Sequence, residues 1–289
     1  MANPVFNTKT FQEQMHSGQQ QPGWYSGGQQ TQTQPGQQGQ FGQPQYGQQA
    51  PQGYSAEQLN EMYQQPAAGP VDTGRMSYND VIAKTVMTLG VVLITAVVGW
   101  MMPALMLPGA IVGLVLGLVN AFKREPSPAL ILLYAAAEGL FLGGISQVFE
   151  QMWPGIASQA VLGTLCVFAV TLALYASGKV RATPKAMRIF MIAMVGYALF
   201  SLVNLFLMLF GVTDSMFGLR SGWMGVAIGL VAVFLAAFSL VMDFTAIEQG
   251  VRAGAPKKYS WSAAFGLTVT LVWLYVEILR ILAILRGND

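Results

Sequence analysis

Charged residues, cysteine and histidine are all scarce in this chain of 289 residues. Only 10% of the residues are charged, whereas soluble domains average about 25%. Cys166 is the only cysteine and His16 the only histidine, which excludes an intrachain disulfide, a zinc cluster and a His-dependent catalytic triad. No GxSG motif or paired GxGD-type motif supports an intramembrane protease. We therefore expect neither an enzyme nor a bound cofactor, and the net charge of +2 gives no reason to expect a nucleic-acid partner.

Long apolar runs fill the chain after Ser77. Each is about 20 residues long, enough for a helix to cross a bilayer core of about 30 Å. We predict an all-α integral membrane protein with seven transmembrane helices. The predicted spans are 84–102, 104–122, 129–149, 157–177, 188–210, 222–247 and 262–284.

The first quarter of the chain has a different composition, dominated by Gln, Gly, Pro and Tyr. Such a segment has too little aliphatic surface to offset its ordering entropy, so residues 1–75 are expected to form a disordered tail. We expect residues 76–289 to form the membrane domain. The tail is either a solvated tether or, through its spaced aromatic residues, a segment that recruits membrane-protein partners. No basic segment followed by an apolar core opens the chain, so no cleavable signal peptide is expected.

Lysine and arginine are distributed unequally between the two sides of the predicted spans. The tail side holds Lys9, Arg75, Lys84, Lys123, Arg124, Lys179, Arg181, Lys185, Arg188, Arg252, Lys257 and Lys258. The other side holds only Arg220 and Arg286, and Arg280 falls inside the last span. The positive-inside rule then predicts a cytosolic tail and an external C-terminus.

Four charged residues fall in the interior of the apolar spans, away from their first positions: Glu138, Asp243, Glu277 and Arg280. A carboxylate at mid-membrane costs roughly 2.5–3.5 kcal/mol on insertion scales, so each of them is a candidate functional residue. If Asp243 and Glu277 approach each other, they can share one proton, and their deprotonated oxygens suit a hard cation such as calcium. Alternatively, Asp243 pairs with Arg252 or a loop lysine near the surface, and Glu277 is neutralised by Arg280 three residues later.

The depths of the two acids along their helices decide between these alternatives. Asp243 is expected about 6–10 Å from the cytosolic end of its helix, and Glu277 roughly 20 Å along the next helix. The two would meet only if the seventh helix entered the membrane late or if helix tilt compensated.

Two further polar features occur within the spans. Glu138 precedes a small-residue face at Gly139, Gly143 and Gly144, which allows close helix approach. We expect Glu138 either to line a polar cavity or to be hydrogen-bonded within the bundle. In the fifth span Tyr197, Ser201 and Asn204 recur at helical spacing, which predicts one polar face directed into the bundle.

The ordered set of motifs resembles the Bax inhibitor-1 family, also called the transmembrane Bax inhibitor motif proteins. The residues from Tyr259 to Leu282 resemble its C-terminal signature, with Leu274, Tyr275, Val276 and Glu277 in the place of a Leu-Tyr-Leu-Asp motif. Four other stretches follow in matching order: ALMLP at 104–108, Lys123–Arg124, EGL at 138–140 and VNLF at 203–206. The resemblance covers residues 76–286 and is to the bacterial branch.

This resemblance implies a seven-helix bundle around a central C-terminal helix. It also implies a pH-sensitive calcium leak channel in which two facing acids form the proton sensor and an arginine competes for the first acid. In this chain those residues are Asp243, Glu277 and Arg124, with calcium as a permeant ion bound transiently by the two acids. Two departures are Glu277 in place of Asp and the cation Arg280, which would repel calcium.

The leading hypothesis is therefore a pH-sensitive, passive cation leak, most readily of calcium, in the plasma (inner) membrane of a bacterium. One alternative is a non-conducting regulator that binds a membrane protease or a stress-response partner. The other is a proton-coupled cation exchanger. Deletion of residues 1–75 separates the channel from a regulator that depends on the tail.

Overall fold

Seven long helices make up the membrane domain in the computed structural model, which describes residues 74–213, 215 and 217–287. They are α1 (Tyr78–Met101), α2 (Met106–Phe122), α3 (Pro128–Met152), α4 (Ile156–Ala176), α5 (Pro184–Leu209), α6 (Gly222–Arg252) and α7 (Ser260–Gly287). Short 3-10 turns at Pro103–Leu105, Gly218–Arg220 and Lys257–Tyr259 precede α2, α6 and α7. All seven helices are long and apolar enough to cross a membrane, which confirms the predicted fold class. Residues 1–73 of the predicted tail lie outside the described residues.

Local sequence signals explain where several helices begin. The Ser77 hydroxyl accepts a hydrogen bond from the Asp80 N–H at 3.1 Å and caps α1. The Thr183 hydroxyl caps α5 in the same way, from the Ala186 N–H at 3.2 Å. Pro128 and Pro184 occupy first-turn positions, where a missing N–H costs nothing.

Helix α7 lies at the centre of the bundle. It packs against α1, α3, α4 and α6. In its most apolar stretch of 18 residues 61% of the residues are buried, compared with 6% in the corresponding stretch of α5. The expected central C-terminal helix is therefore confirmed. Polar residues on α7 face other helices, whereas those of the peripheral α5 do so only along one stripe.

Helices α1 and α3 make the closest approach in the bundle through glycine. A Cβ at Gly139 would meet the Thr95 hydroxyl, and one at Gly143 would meet the Ala96 carbonyl. Gly139 and Gly143 of the predicted small-residue face thus form the surface on which α1 packs, whereas Gly144 faces Met106 of α2.

The two ends of the bundle are named here by the position of α1. The tail-side end holds the start of α1 together with the α2–α3, α4–α5 and α6–α7 connections, and the far end holds the other three. At the tail-side end the chain entering α1 pairs with the α6–α7 loop, through Met76 N–H to Ala255 O (2.7 Å) and Lys257 N–H to Gly74 O (2.9 Å). Gly254 has φ +65° there, a left-handed conformation that favours glycine in the turn.

Candidate functional site

Asp243 is a buried carboxyl group between α6 and α7. The residue is 4% exposed, and its Oδ2 accepts a hydrogen bond from the Thr270 hydroxyl at 2.8 Å. Ser239, one turn earlier on α6, places its hydroxyl 3.3 Å from that of Thr270. No lysine or arginine among the described residues forms an ion pair with Asp243. The carboxyl group therefore lies among neutral hydroxyls in the core. The alternative prediction, an ion pair between Asp243 and Arg252 near the surface, is wrong, because Arg252 pairs with Glu248 at 2.5 Å.

Glu277 has the opposite surroundings. Arg280 binds both of its oxygens, at 3.1 Å through one guanidinium nitrogen and more closely through the other. Arg220 Nη1 lies 3.6 Å from Oε1, and the Tyr197 hydroxyl donates to the same oxygen. We call Tyr197, Ser201, Arg220, Glu277 and Arg280 the Glu277 cluster. Its single carboxylate is shared by two guanidinium groups.

Arg220 enters this cluster from the short 3-10 turn before α6. It is 8% exposed, and its guanidinium lies over the rings of Tyr197 (4.8 Å) and Phe200 (5.5 Å). It also donates a hydrogen bond to the Ser201 hydroxyl. The aromatic faces and the hydroxyl of α5 thus hold a cation that would otherwise be costly to bury.

Asn204 fixes the loop that carries Arg220. Its amide nitrogen donates to the Phe217 carbonyl at 3.3 Å, and its oxygen accepts from the Leu219 N–H at 2.6 Å. The stripe of Tyr197, Ser201 and Asn204 therefore does point into the bundle, as predicted. Asn204 acts by positioning the segment rather than by meeting Glu277.

The structure does not bring the two acids into one pair. Asp243 is bonded to Thr270, which precedes Glu277 by seven residues, about 10 Å along α7. Helix α7 begins at Ser260, so it does not start late enough to bring Glu277 level with Asp243. Glu277 is instead neutralised by Arg280, as in the alternative weighed from the sequence, and also by Arg220.

Arg124 lies apart from Asp243 in this structure. It is exposed on the α2–α3 loop, and no hydrogen bond or ion pair joins it to another described residue. Its neighbour Glu125 binds Lys258 at 2.7 Å, and the hydrogen bond and charge of Lys258 lower the pKa of Glu125. This bridge ties the Arg124 loop to the start of α7.

Glu138 occupies a separate place between α2 and α3. It is half-buried, is hydrogen-bonded to Tyr134 one turn earlier, and a Cβ at Gly113 would lie 2.9 Å from its Oε1. Further along α3, the Ser146 hydroxyl lies 2.6 Å from that of Tyr275 on α7. Glu138 is therefore bonded within the bundle, away from both Asp243 and Glu277.

Thr270 and Arg220 are the functional candidates that the sequence did not reveal. Thr270 has an ordinary side chain for an apolar helix, and Arg220 looked like a loop cation on the surface. One feature of the sequence could have indicated the position of Arg220. The polar and aromatic side chains on one face of α5 predict a polar partner inside the bundle. Thr270 gave no comparable signal.

A comparison with known families finds a match along almost all of the chain. The family model described as Bax inhibitor 1 like matches residues 3–287, nearly the full chain. The chain belongs to the Bax inhibitor 1 like family. The predicted family is therefore confirmed, while its bacterial branch stays a prediction. This Bax inhibitor 1 like protein is a multi-pass membrane protein with seven apolar helices. A comparison with curated proteins found no match.

Proposed function

We propose that this Bax inhibitor 1 like protein is a pH-sensitive, passive leak channel for cations, most readily calcium, and that Asp243 is its gate. The observation that carries the proposal is a buried carboxyl group whose bonded partner is a neutral hydroxyl. A charged residue at this depth is costly and is a functional candidate by default. Family membership makes a channel or transporter a reasonable class for it.

The gate acts through the charge of Asp243. When the carboxyl is protonated it is neutral, can remain between α6 and α7, and keeps the path closed. When the proton leaves, the anion needs water or a cation, so α6 and α7 separate and the path opens. The carboxylate and the hydroxyls of Ser239 and Thr270 are oxygen ligands of the kind that calcium prefers. A set of only three ligands suits an ion that binds transiently.

The other expected gate residues take modified roles. Glu277, held by two arginines, anchors the far end of α7 and does not share a proton with Asp243. Arg124 remains a candidate partner for the open-state Asp243 carboxylate, but it reaches that residue only if the α2–α3 loop moves inward. A plasma-membrane location in a bacterium, with the tail in the cytosol, places the gate nearer the cytosolic side.

Calcium flux into liposomes containing the purified protein, measured from pH 5 to 8, tests the proposal. We expect a leak that rises with pH in the unmodified protein and a flat pH profile in Asp243→Asn. Glu150→Gln, which changes a carboxyl at the far end of the bundle that accepts backbone N–H groups, is the matched control and should retain the response. A folded Asp243→Asn protein with an unchanged pH profile would refute the gate. A folded protein without any leak would refute the channel.

The same liposomes separate passive leak from proton-coupled exchange. A passive leak continues when a protonophore abolishes the proton gradient, whereas an exchanger moves protons in step with calcium and stops accumulating it. We expect continued flux with no accompanying proton movement.

A second candidate, regulation of other membrane proteins through the tail, is favoured by one observation. The chain emerging from the tail is hydrogen-bonded to the α6–α7 loop, next to the gate helix.

A further inference from the structure

The Glu277 cluster contains more positive than negative charge. Arg220 and Arg280 each contribute one cation, and Glu277 contributes one anion, while Tyr197 and Ser201 are neutral. The side chains of Arg220, Arg280 and Glu277 are at least nine-tenths buried. One net positive charge is thus held where solvent cannot readily neutralise it.

Hydrogen bonding within the cluster is also incomplete. The Nε–H groups of both Arg220 and Arg280 are buried and have no acceptor among the described residues. Buried donors normally find a partner, and buried guanidinium groups usually have several. The aromatic faces over Arg220 compensate its charge in part but accept no strong hydrogen bond.

The other described acid at this end of the bundle is already engaged. Glu150 accepts hydrogen bonds from the N–H groups of Gly155 (2.5 Å) and Ala157 (3.0 Å) at the start of α4. Asp214, in the loop before Arg220, lies outside the described residues. The described part of the chain therefore supplies one carboxylate for two buried guanidinium groups.

We propose that the Glu277 cluster binds a small monovalent anion, of the size of chloride or bromide, between Arg220 and Arg280. The anion would balance the net charge and accept the two free N–H donors. Deep burial favours a small, weakly hydrated anion over a bulky organic one. This inference does not depend on whether the protein conducts cations.

Thermal unfolding of the detergent-purified full chain tests the proposal. Sodium gluconate is replaced stepwise by sodium chloride or bromide at constant ionic strength, from zero to about 0.3 M. We expect Tm of the unmodified protein to rise by about 2–4 °C, because a ligand that binds only the folded state stabilises it. A Tm that does not change with chloride or bromide would overturn the proposal. That is the result expected if Asp214, and not a bound anion, neutralises the cluster.

Charge-changing variants give the test its specificity. Arg280→Gln leaves one cation and one anion, so its chloride dependence should disappear. Glu277→Gln leaves two cations, so half of the maximal Tm shift should occur at a lower chloride concentration. Arg188→Gln removes an exposed arginine of α5 and should behave like the unmodified protein. Chloride dependence that survives in Arg280→Gln would contradict the site even if Glu277→Gln did not fold.

An anionic lipid is the other source of negative charge at a membrane protein. Phosphatidylglycerol is therefore added to the detergent-purified protein in gluconate buffer. Because the side chains of the cluster are about nine-tenths buried, a lipid headgroup at the membrane surface should not reach them, and we expect it not to replace chloride. Full replacement by the lipid would show a surface headgroup site and would overturn the small-anion proposal.

Discussion

At the scale of single residues, Asp243 and Glu277 differ in what can neutralise them. Asp243 has a hydroxyl partner, so its charge must be cancelled by a proton or by a cation that arrives from outside. Glu277 already has two guanidinium groups and a tyrosine hydroxyl. Because its partners are already within the protein, Glu277 needs no cation from outside. A change of pH is therefore expected to act first on Asp243.

Thr270→Val tests the hydroxyl that faces Asp243. Valine keeps the shape but removes the donor to Oδ2, and losing the partner of a buried polar group costs about 1–3 kcal/mol. Since a hydroxyl donor favours the charged carboxyl, the pH of half-maximal leak should move upward. Both effects are measured by thermal unfolding and by liposome flux.

Thr164→Val is the matched control for that substitution. Thr164 is also buried, but its hydroxyl donates only within α4, to the Ala160 carbonyl at 2.8 Å. The control should leave the pH profile of the leak unchanged. Equal profiles for Thr270→Val and Thr164→Val would remove Thr270 from the gate.

Glu277→Gln tests whether Glu277 is an anchor or a proton partner. Removal of the carboxylate leaves Arg220 and Arg280 buried together, which should lower stability by about 3–5 kcal/mol. Arg280→Gln should cost less, because Arg220 still faces Glu277, and the double variant should recover part of the loss. A cycle of unfolding midpoints at fixed chloride measures this coupling.

The same Glu277→Gln protein, reconstituted in liposomes, should keep a pH-dependent leak. A flat pH profile there, with Arg280→Gln still responsive, would restore the shared-proton acid pair. The two measurements are independent, since one reports unfolding and the other reports ion flux.

At the scale of helices, the contact of α1 with α3 depends on the absence of side chains. Gly143→Ala places a methyl group against the Ala96 backbone, and overpacking of this kind costs about 1–3 kcal/mol. Gly90 on α1 has open space around it, so Gly90→Ala should be neutral or slightly stabilising. Unfolding in detergent compares the two. Equal effects would mean that the close approach contributes nothing.

The seven helices were predictable because a span must be apolar along its whole length. The ends were not, because a helix continues past its apolar run where polar residues find partners. Helix α6 was predicted to end at 247 but reaches Arg252. Its last turns are held by Glu248, which binds Arg181 at 2.9 Å and Arg252 at 2.5 Å.

The candidate site was predictable only in part for a related reason. Asp243 and Glu277 stand out because a carboxylate in an apolar helix is costly. Their partners depend on how far α7 is shifted along α6, and on a loop that folds inward at Arg220. The spacing of residues in the sequence predicts neither the shift of α7 along α6 nor the conformation of that loop. The roles of Thr270 and Arg220 as partners of the two acids are therefore seen only in the structure.

At the scale of the whole molecule, the tail-side end is fastened around the α6–α7 loop. Lys257 pairs with Asp80 at 3.1 Å, Lys258 pairs with Glu125 at 2.7 Å, and the chain at Met76 is hydrogen-bonded to Ala255. These contacts join α1, the α2–α3 loop and the start of α7. An opening that moves the α6–α7 loop away from α1 or from the α2–α3 loop would therefore strain or break some of them.

Truncation tests how far the tail matters to this end. A protein that begins just before Gly74 keeps both backbone hydrogen bonds to the α6–α7 loop and should retain its Tm and its leak. A protein that begins after Ser77 loses those bonds and the α1 cap, so it should be less stable. Loss of leak in the first truncation, with Tm unchanged, would favour the tail-dependent regulator.

The surface cations at the two ends of the bundle are the basis for proposing its orientation. The far end has two arginines in its loops and at its terminus, but Arg220 is buried in the Glu277 cluster. Arg286 is therefore the one described cation left near that surface, whereas lysines and arginines are numerous at the tail-side end. By the positive-inside rule, we propose that the tail-side end is the cytosolic one.

Single-cysteine labelling of intact cells checks this orientation. With Cys166→Ala as background, Ser177→Cys marks the exposed tail-side loop and Val212→Cys the exposed far-side loop. A membrane-impermeant thiol reagent should label Val212→Cys in intact cells, and Ser177→Cys only after permeabilisation. The reverse pattern would place Asp243 nearer the external side, and the gate would then respond to external rather than cytosolic pH.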